Sequence, residues 1–447
     1  MVTLLAFVFV LGVLVFVHEL GHFLAAKRVG IRVLKFQLGF NPTVLSFRRG
    51  DTEYGIGALP LGGYVKMAGE NPEDVERDEQ GNAIKHGDEF LSKTKWERFQ
   101  VLIMGPVMNL LLALVLTAVV LYQGVERFSF EDQPVVIGVV SEGSAAAGAD
   151  IRAGDRIVSV AGRGVDTWDQ FDMAIGMKPN REVEIGLLRN GLEQTRKVTP
   201  TVVGQSRFEY GVIGVLPNVH PHVGDVFSGS AAEKAGLKKD DVVVSVDGQT
   251  ITFGSQLKQA IAKHADQPIT LVILRGGERR TLQATPAKQG NEGLLGIRIA
   301  EDTVKDKPGF GRAISLSVSK NIEMSRLIFQ TLGGLITRET SPKQLMGPIA
   351  IAQLSGESAQ LGWIALITLM ASISLNLGLL NLMPIPILDG GHIFIMALEG
   401  LARRDFSLAV KEKMLMAGFA LILMLMVTVI YNDLTRISWI EHLMPWR

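Results

Sequence analysis

The chain has 447 residues, no formal net charge at pH 7, 47% hydrophobic residues and no cysteine. This composition is typical of a membrane protein that carries soluble modules, and the balanced charge argues against nucleic acid as a partner. Because cysteine is absent, the chain forms no disulfide, and a bound metal must be held by histidine and carboxylate side chains.

The first apolar segment, Val2 to Ala26, contains the sequence HELGH at residues 18–22. No residue from Val2 to Val17 is charged, so three ionisable side chains near the end of a predicted membrane span need a physical reason. Side chains four residues apart share a helix face, so His18 and His22 can bind one ion while Glu19 contacts a water beside it. HExxH also occurs by chance in soluble helices, but its position in an apolar span favours a zinc site. Catalytic zinc usually has three protein ligands, so one ligand is still missing.

Three more segments are apolar and long enough to be membrane spans: Val101 to Tyr122, Leu361 to Leu388 and Met414 to Tyr431. Basic residues cluster after the first span, before the second, and between the third and fourth. Cytoplasmic loops tend to be basic, so these two connecting segments are predicted to be cytoplasmic. Both termini and the long stretch from about Gly124 to Gln360 are then expected on the opposite side.

Between the first two spans, Thr52 to Ala58 and Gly62 to Met67 are predicted as short strands around residues 59–61, an apolar hairpin next to the first span. An exposed strand edge here would bind an unwound substrate helix as an added strand, which replaces the internal hydrogen bonds of the helix by intermolecular ones. The alternative is a hairpin that only packs on the spans. The segment Glu70 to Glu89 is predicted to be an acidic, mobile cytoplasmic loop.

An internal repeat follows the second span. Residues 144–163 align without a gap with residues 230–249, at a constant offset of 86 residues. Each copy predicts a small-residue helical turn, a strand, a short helix and a second strand. The short helices are expected near Trp168 to Met177 and Phe253 to Ala262, and the second strands at Glu184 to Arg189 and Ile269 to Arg275.

The two copies resemble tandem PDZ domains of the circularly permuted bacterial kind, which bind extended peptides at a backbone-amide loop and a strand edge. Asp150 and Asp240 stand where that pattern has glycine. The two alternative functions of these copies are therefore peptide capture and purely steric blocking of access. After the repeat, Gly311 to Ile336 has apolar residues at helical spacing with charges among them. This pattern predicts an amphipathic helix that lies on the membrane or packs against the second copy.

The third span ends in the sequence NLMPIPILDGGH at residues 381–392. An Asp at the end of a long apolar run, after two prolines that interrupt helical hydrogen bonds, is costly unless it is paired. The predicted topology places Asp389 on the same side as His22, so Asp389 is the best candidate for the third metal ligand. His392 is the second candidate. The alternative role of Asp389 is to cap the helix that follows it.

With these motifs the whole chain resembles the site-2 proteases, a family of intramembrane zinc metalloproteases, and within it the bacterial regulator of sigma-E protease type with tandem PDZ domains. The motifs that carry the resemblance are HELGH at 18–22, ALPLGGYVKM at 58–67, GPVMN at 105–109, GPIAIA at 347–352 and NLMPIPILDGGH at 381–392. The resemblance implies one zinc ion bound by His18, His22 and Asp389, with Glu19 as general base. It also implies substrate contacts by Asn381 and by the hairpin at Tyr64 and Val65.

The predicted fold is a multi-pass α-helical membrane protein with four transmembrane helices, a membrane-associated β-hairpin and two periplasmic α+β PDZ domains. The membrane catalytic parts are predicted at residues 1–124 and 359–447, the PDZ domains at 125–215 and 216–305, and an amphipathic helix with its connector at 306–358. The expected location is the bacterial inner membrane, with both termini and the PDZ domains in the periplasm and the active site open to the cytoplasm.

The resemblance implies hydrolysis of peptide bonds within the transmembrane segments of single-span proteins, such as an anti-sigma factor trimmed by a first protease, and of remnant signal peptides. The lipid bilayer is the other expected partner. The alternative is a non-catalytic PDZ scaffold of the inner membrane with a degenerate metal site. The intact Glu19 argues against this scaffold, because inactive relatives commonly lose that residue. A transporter is disfavoured by the few spans and the lack of an inverted repeat.

Overall fold

The computed structural model describes residues 2–70, 86–202, 210–217, 219–290, 292–300, 303–337, 340, 342 and 345–435. Most of the predicted acidic loop, residues 71–85, lies outside this described part. The chain divides into two compact units: Met1–Gly124 together with Lys307–Arg447, and Val125–Asp306. Four described helices are long and apolar enough to cross a membrane: Val2–Arg28, Lys95–Gln123, Trp363–Asn381 and Leu408–Thr435.

Within the described residues the helices are, in chain order, α1 (Val2–Arg28), α2 (Lys95–Gln123), α3 (Ala145–Gly148), α4 (Trp168–Gly176), α5 (Ala231–Lys234), α6 (Gly254–Ala262), α7 (Phe310–Ile336), α8 (Pro348–Leu361), α9 (Trp363–Asn381), α10 (Asp389–Ala402) and α11 (Leu408–Thr435). A short 3-10 helix, Phe90–Ser92, precedes α2.

The strands of the described residues are β1 (Val33–Arg49), β2 (Thr52–Met67), β3 (Val125–Phe128), β4 (Ile137–Val140), β5 (Arg156–Val160), β6 (Arg163–Gly164), β7 (Val183–Arg189), β8 (Leu192–Val198), β9 (Thr201–Val202), β10 (Gly211–Val212), β11 (Val215–Pro217), β12 (His222–Val226), β13 (Val242–Val246), β14 (Gln249–Thr250), β15 (Ile269–Arg275), β16 (Glu278–Ala284), β17 (Ala287–Gln289), β18 (Glu292–Leu294), β19 (Ile297–Ala300) and β20 (Thr303–Asp306).

The sequence predicted that the third span extends to Leu388. In the structure this apolar segment does not continue as one helix. The helix α9 ends at Asn381, and α10 begins at Asp389. Pro384 and Pro386 lack a backbone N–H and disfavour helical conformation in the residue before them, so the helix cannot run through this segment. The break places Asp389 in the first turn of a new helix.

The second span begins at Lys95, earlier than the predicted Val101, because Thr94 caps it. The Thr94 hydroxyl accepts a hydrogen bond from the backbone N–H of Glu97, and the Glu97 carboxylate accepts one from the backbone N–H of Thr94 at 2.9 Å. This reciprocal arrangement satisfies two backbone donors that have no partner inside the helix. The start of α2 is therefore fixed by local sequence.

The strands β1 and β2 form an antiparallel sheet whose pairing differs from the predicted hairpin. Phe36 in β1 pairs with Val65 on one side and with Tyr54 on the other, so the first half of β1 lies between the two halves of β2. The predicted strands at 52–58 and 62–67 therefore do not pair with each other. Within the described residues no strand pairs with the outer side of residues 63–67, which form an edge of this sheet.

The sheet packs on the ends of α1 and α2 next to the HELGH motif. The sheet and the two helices share a hydrophobic core. The sheet contributes Val33, Phe36, Val65 and Met67, and the helices contribute Ala25, Ala26 and Val101. Burial of these side chains anchors the edge at residues 63–67 to the helix that carries His18, Glu19 and His22. Farther along the spans, a second core joins α1, α2 and α9.

The amphipathic helix α7 packs on α2. Ala313, Ser317 and Asn321 are buried on one face of α7, and the Ser317 hydroxyl donates a hydrogen bond to the Leu114 carbonyl at 2.7 Å. Small and polar side chains suit such a contact, because they allow close approach of two helices in lipid. Other apolar side chains of α7 stay exposed: Phe310, Ile314, Val318 and Ile322.

The unit Val125–Asp306 contains two modules with separate hydrophobic cores, the first built from buried residues between Val135 and Ile213 and the second from buried residues between Val223 and Leu295. The elements α3, β5, α4, β7 and β8 of the first module recur as α5, β13, α6, β15 and β16 of the second at the same 86-residue offset. The helices and second strands predicted for each copy are present at their expected positions. The same elements thus build both modules.

Each module contains a buried ion pair at an equivalent position. The Asp155 carboxylate accepts two hydrogen bonds of 2.7 Å from Arg189, and Asp241 accepts two of 2.7 Å from Arg275. The Arg189 guanidinium lowers the pKa of Asp155 below its usual value. Burial alone raises the pKa of Asp241, but Arg275 and the backbone N–H of Lys238 outweigh it, so this pKa is lowered as well.

The two aspartates that replace glycine occupy left-handed backbone conformations. Asp150 has φ 58° where the second module has Gly236 with φ 79°, and Asp240 has φ 66° where the first module has Gly154 with φ 89°. Aspartate tolerates this region better than most residues that have a Cβ atom. The substitutions therefore preserve the turns of both modules.

Candidate metal centre

Three side chains from α1 and α10 bring their ligand atoms together. The Nε2 atoms of His18 and His22 lie 3.2 Å apart, and they lie 3.2 and 3.5 Å from Oδ2 of Asp389. Two atoms bound at about 2.0–2.1 Å to one tetrahedral zinc ion are about 3.3 Å apart. The three separations match that geometry. Among the described residues, this is the one group of His, Asp, Glu or Cys found suited to hold a metal ion.

Two glycines fix the position of Asp389 at the start of α10. A Cβ atom at Gly390 would lie 2.4 Å from the carbonyl of Leu382, and one at Gly391 would lie 2.0 Å from the carbonyl oxygen of Ile385. Neither position has room for a side chain, so the first turn of α10 packs directly on the loop that follows α9. This packing turns the Asp389 carboxylate toward α1.

The second ring nitrogen of His22 has a fixed partner. Nδ1 of His22 lies 2.8 Å from the carbonyl oxygen of Val101 in α2. A carbonyl can only accept, so Nδ1 carries the proton and Nε2 keeps its lone pair. Metal-binding histidines generally use one nitrogen for the ion and donate the other N–H to a carbonyl or carboxylate. His22 therefore has the tautomer that a metal ligand requires.

The side-chain amide of Asn109 in α2 faces the imidazole ring of His18. Asn109 Nδ2 lies 3.3 Å from Nδ1 of His18. Asn109 is 1% exposed, and its side-chain oxygen is enclosed without a hydrogen-bond partner. A buried amide next to the His18 imidazole is costly unless it forms hydrogen bonds.

Gly105 provides the space in which the two imidazoles meet. A Cβ atom at Gly105 would lie 2.2 Å from Nε2 of His22 and 2.9 Å from Cε1 of His18. Gly21 performs the reciprocal function on α1, because a Cβ atom there would lie 2.3 Å from the Met104 carbonyl oxygen. The two glycines allow α1 and α2 to approach closely. The donor set, the His22 tautomer and the space left by Gly105 fit a zinc ion.

The candidate general base lies beside the edge of the sheet. A Cβ atom at Gly63 would lie 3.2 Å from Cγ of Glu19 and 2.9 Å from Cγ1 of Val15. Gly63 begins the edge segment 63–67. A peptide bound along this edge would therefore run past Glu19.

The residues predicted to contact substrate occupy two places in the fold. Asn381 is the last residue of α9, and no described residue hydrogen-bonds to its side chain. Tyr64 and Val65 lie in the edge segment; the Tyr64 hydroxyl is 3.5 Å from Oε1 of Gln37, while the Val65 side chain is buried in the core. Val65 can thus meet a ligand only through its backbone. His392 is exposed and lies outside the converging group.

Sequence reasoning did not assign roles to Val101, Gly105 and Asn109. Gly105 and Asn109 belong to the GPVMN motif, which was recognised only as part of a resemblance. A polar amide inside an apolar span is expensive without a partner, and that signal points to Asn109. The contribution of Val101 comes from its backbone carbonyl, which no side-chain pattern can indicate.

Comparison with known proteins agrees with this geometry. The profile of peptidase family M50 matches residues 6–425. The regulator of sigma-E protease of Salmonella typhimurium is 34% identical over 97% of this chain and 98% of its own. Protease RseP of Yersinia pestis is 33% identical over 97% of this chain and 99% of its own. A Ralstonia nicotianae protein whose name contains the words zinc metalloprotease is 34% identical over 98% of this chain and 99% of its own.

The family match extends over nearly the whole chain, and it includes both segments that supply the converging histidines and aspartate. Four helices suited to span a membrane accompany this group. The chain belongs to peptidase family M50, the site-2 proteases, and is an intramembrane metalloprotease.

Proposed function

We propose that His18, His22 and Asp389 hold a single zinc ion and that Glu19 is the general base of peptide hydrolysis. The observation that carries this proposal is the convergence of Nε2, Nε2 and Oδ2 at 3.2–3.5 Å from one another. When bound, zinc supplies Lewis acidity that activates water and polarises the scissile carbonyl.

Glu19 takes the proton from the attacking water and then delivers it to the leaving amine. Its place in the sequence, directly after His18, puts the carboxylate on the helix edge next to the two imidazoles. The side chain is only partly exposed, and its neighbour is the edge strand. Glu19 can therefore reach both the water and a peptide bond held at that edge.

The substrate binds as an added strand along residues 63–67. A peptide bond inside a helix is hydrogen-bonded and sterically covered, so a transmembrane substrate must unwind before cleavage. The segment that contains Tyr64 and Val65 offers its outward-directed backbone groups to the unwound segment. The Asn381 amide donates a hydrogen bond to the substrate carbonyl or to the oxyanion that develops from it.

The substrates are single-span membrane proteins, including an anti-sigma factor after a first cleavage, and remnant signal peptides. The name of the Salmonella typhimurium relative, regulator of sigma-E protease, supports a role in sigma-E regulation. The chain lies in the inner membrane of a bacterium, its active site opens to the cytoplasm, and the two modules are PDZ domains in the periplasm. The basic segments between the spans support this orientation.

The proposal is tested by comparing wild type, Glu19→Gln and Glu412→Gln on a single-span reporter, with zinc content measured for all three. Both variants should retain zinc. Glu19→Gln should lose about 100-fold or more in cleavage rate, the usual range for general acid–base catalysis. Glu412 is exposed on α11 and serves as the matched charge control.

Cleavage by Glu19→Gln at the wild-type rate would exclude Glu19 as the base. Absence of cleavage by wild type would favour the alternative of a scaffold with a degenerate site. If Glu19→Gln retains zinc and loses cleavage, crosslinking of intact membranes that contain this variant would identify the natural substrate.

A further inference from the structure

The side-chain amide of Asn109 bears on which ring nitrogen of His18 carries the proton. In the structure its nitrogen faces Nδ1 of His18 at 3.3 Å, and its oxygen is enclosed without a partner. An amide nitrogen can only donate, so this orientation requires a lone pair on Nδ1.

That arrangement is incompatible with metal binding through Nε2. Neutral imidazole carries one proton, and a lone pair on Nδ1 places that proton on Nε2. Nε2 of His18 is the atom that faces Nε2 of His22 and Oδ2 of Asp389. A proton there would occupy the direction in which the ion must bind.

Turning the amide end for end preserves its shape and reverses its polarity. The side-chain oxygen then faces Nδ1 and accepts its N–H, while Nε2 keeps the lone pair. The His18 side chain is 14% exposed, so an Nδ1–H without this acceptor would be largely shielded from water. An unsatisfied buried donor of this kind costs about 1–3 kcal/mol.

We propose that Asn109 is a positioning residue for the metal centre: its side-chain oxygen accepts the Nδ1–H of His18 and holds the tautomer that leaves Nε2 free for zinc. This inference rests on the proposed zinc site. It assigns to Asn109 the function that the Val101 carbonyl performs for His22. The backbone of Asn109 is also held, because its carbonyl accepts a hydrogen bond from the Ser374 hydroxyl of α9 at 2.8 Å.

The test uses full-length protein in detergent, with zinc affinity measured by competition with a chelator. Asn109→Asp keeps an acceptor and removes the donor, whereas Asn109→Leu has similar size and removes both. Asn321→Leu is the matched control, since Asn321 is also a buried asparagine, and it bonds to the Ser317 carbonyl within α7. The visible spectrum of the cobalt-substituted proteins reports the ligand geometry independently of catalysis.

Asn109→Leu should lower zinc affinity by about 10–100-fold, as is typical when the partner of a ligand is removed. Asn109→Asp should stay close to wild type in affinity and cobalt spectrum, and so should Asn321→Leu. Wild-type affinity in Asn109→Leu, or an equal loss in Asn109→Asp, would overturn the inference. Because Asn109→Asp distinguishes acceptor from donor by itself, the inference can be refuted even if Asn109→Leu does not fold. Failure of wild type to bind zinc would instead contradict the proposed function.

Discussion

Alanine at position 105 should remove the metal from this protein while leaving the helix around it intact. Gly105 lies in α2 at the point where this helix passes the two imidazoles of α1. The replacement adds a single methyl group and introduces neither charge nor polarity. In an α-helix alanine is favoured over glycine by about 1 kcal/mol, so α2 itself should become more stable.

The size of the effect follows from the contact distances. The added Cβ atom would lie 2.2 Å from Nε2 of His22, whereas ordinary contact begins at 3.4 Å, so the ring or the helix must move by about 1.2 Å. Metal–ligand distances tolerate deviations of about 0.2 Å. The displaced atom is itself a ligand, so the loss of zinc affinity should exceed the roughly 100-fold found when only a supporting residue is changed.

The assay is zinc affinity by chelator competition on purified full-length protein, together with thermal unfolding of the metal-free form. Gly12→Ala is the matched control, because Gly12 lies in α1 and a Cβ atom there has nothing within 4 Å. We expect the control to bind zinc like wild type. Tight zinc binding by Gly105→Ala would refute the proposal that the ion lies between these imidazoles, since the methyl group would occupy that space.

Two further predictions concern buried carboxylates elsewhere in the chain. Asp433→Leu should disorder the start of α8, because the Asp433 carboxylate accepts backbone N–H groups of Gly347, Ile349 and Ala350 at 3.0–3.1 Å. The expected cost is about 1–3 kcal/mol for each donor left unsatisfied, measured by hydrogen exchange of residues 347–361. Arg189→Leu should destabilise the first module by about 3–5 kcal/mol, because it leaves the buried Asp155 unpaired.

The pH dependence of the first module follows from the same ion pair. The folded-state pKa of Asp155 lies below the usual 3.8, so its stabilising contribution is present above that pH and is lost as the pH falls through the lowered value. Arg189→Leu should remove this acid-dependent loss when hydrogen exchange of β7 is followed in full-length protein. Unchanged exchange at neutral pH, or an unchanged acid profile in this variant, would contradict the argument. For Asp433→Leu, wild-type protection of residues 347–361 from hydrogen exchange would contradict the prediction that the start of α8 becomes disordered.

Several features were predictable because they depend on neighbours in sequence. The four apolar segments became helices, and the HELGH spacing placed two imidazoles on one face of α1. The prolines before Asp389 indicated an interrupted helix, although the predicted third span still extended to Leu388. The recurrence of elements at an offset of 86 residues likewise required only the chain itself.

Pairing was harder to predict because it depends on which distant segments meet. The strand character of residues 52–67 was recognised, but the two halves of β2 flank the first half of β1 and do not pair with each other. Periodicity gives the faces of a strand and contains no information about its partner. The amphipathic pattern of α7 was also recognised, while its contact with α2 depends on a small polar face against a membrane helix.

The sequence by itself determined the apolar spans, the shared helix face of His18 and His22 and the repeated modules, because helical periodicity and composition are local properties. It also named Asp389 as the candidate third ligand. Only the tertiary structure decided that Asp389 meets the histidines, that Gly105 leaves the space between them, and that partners 79 and 91 residues away face the second ring nitrogen of each histidine. These last features are fixed by contact distances of a few ångströms between separate helices. Such distances result from packing of the whole unit, so no single segment encodes them.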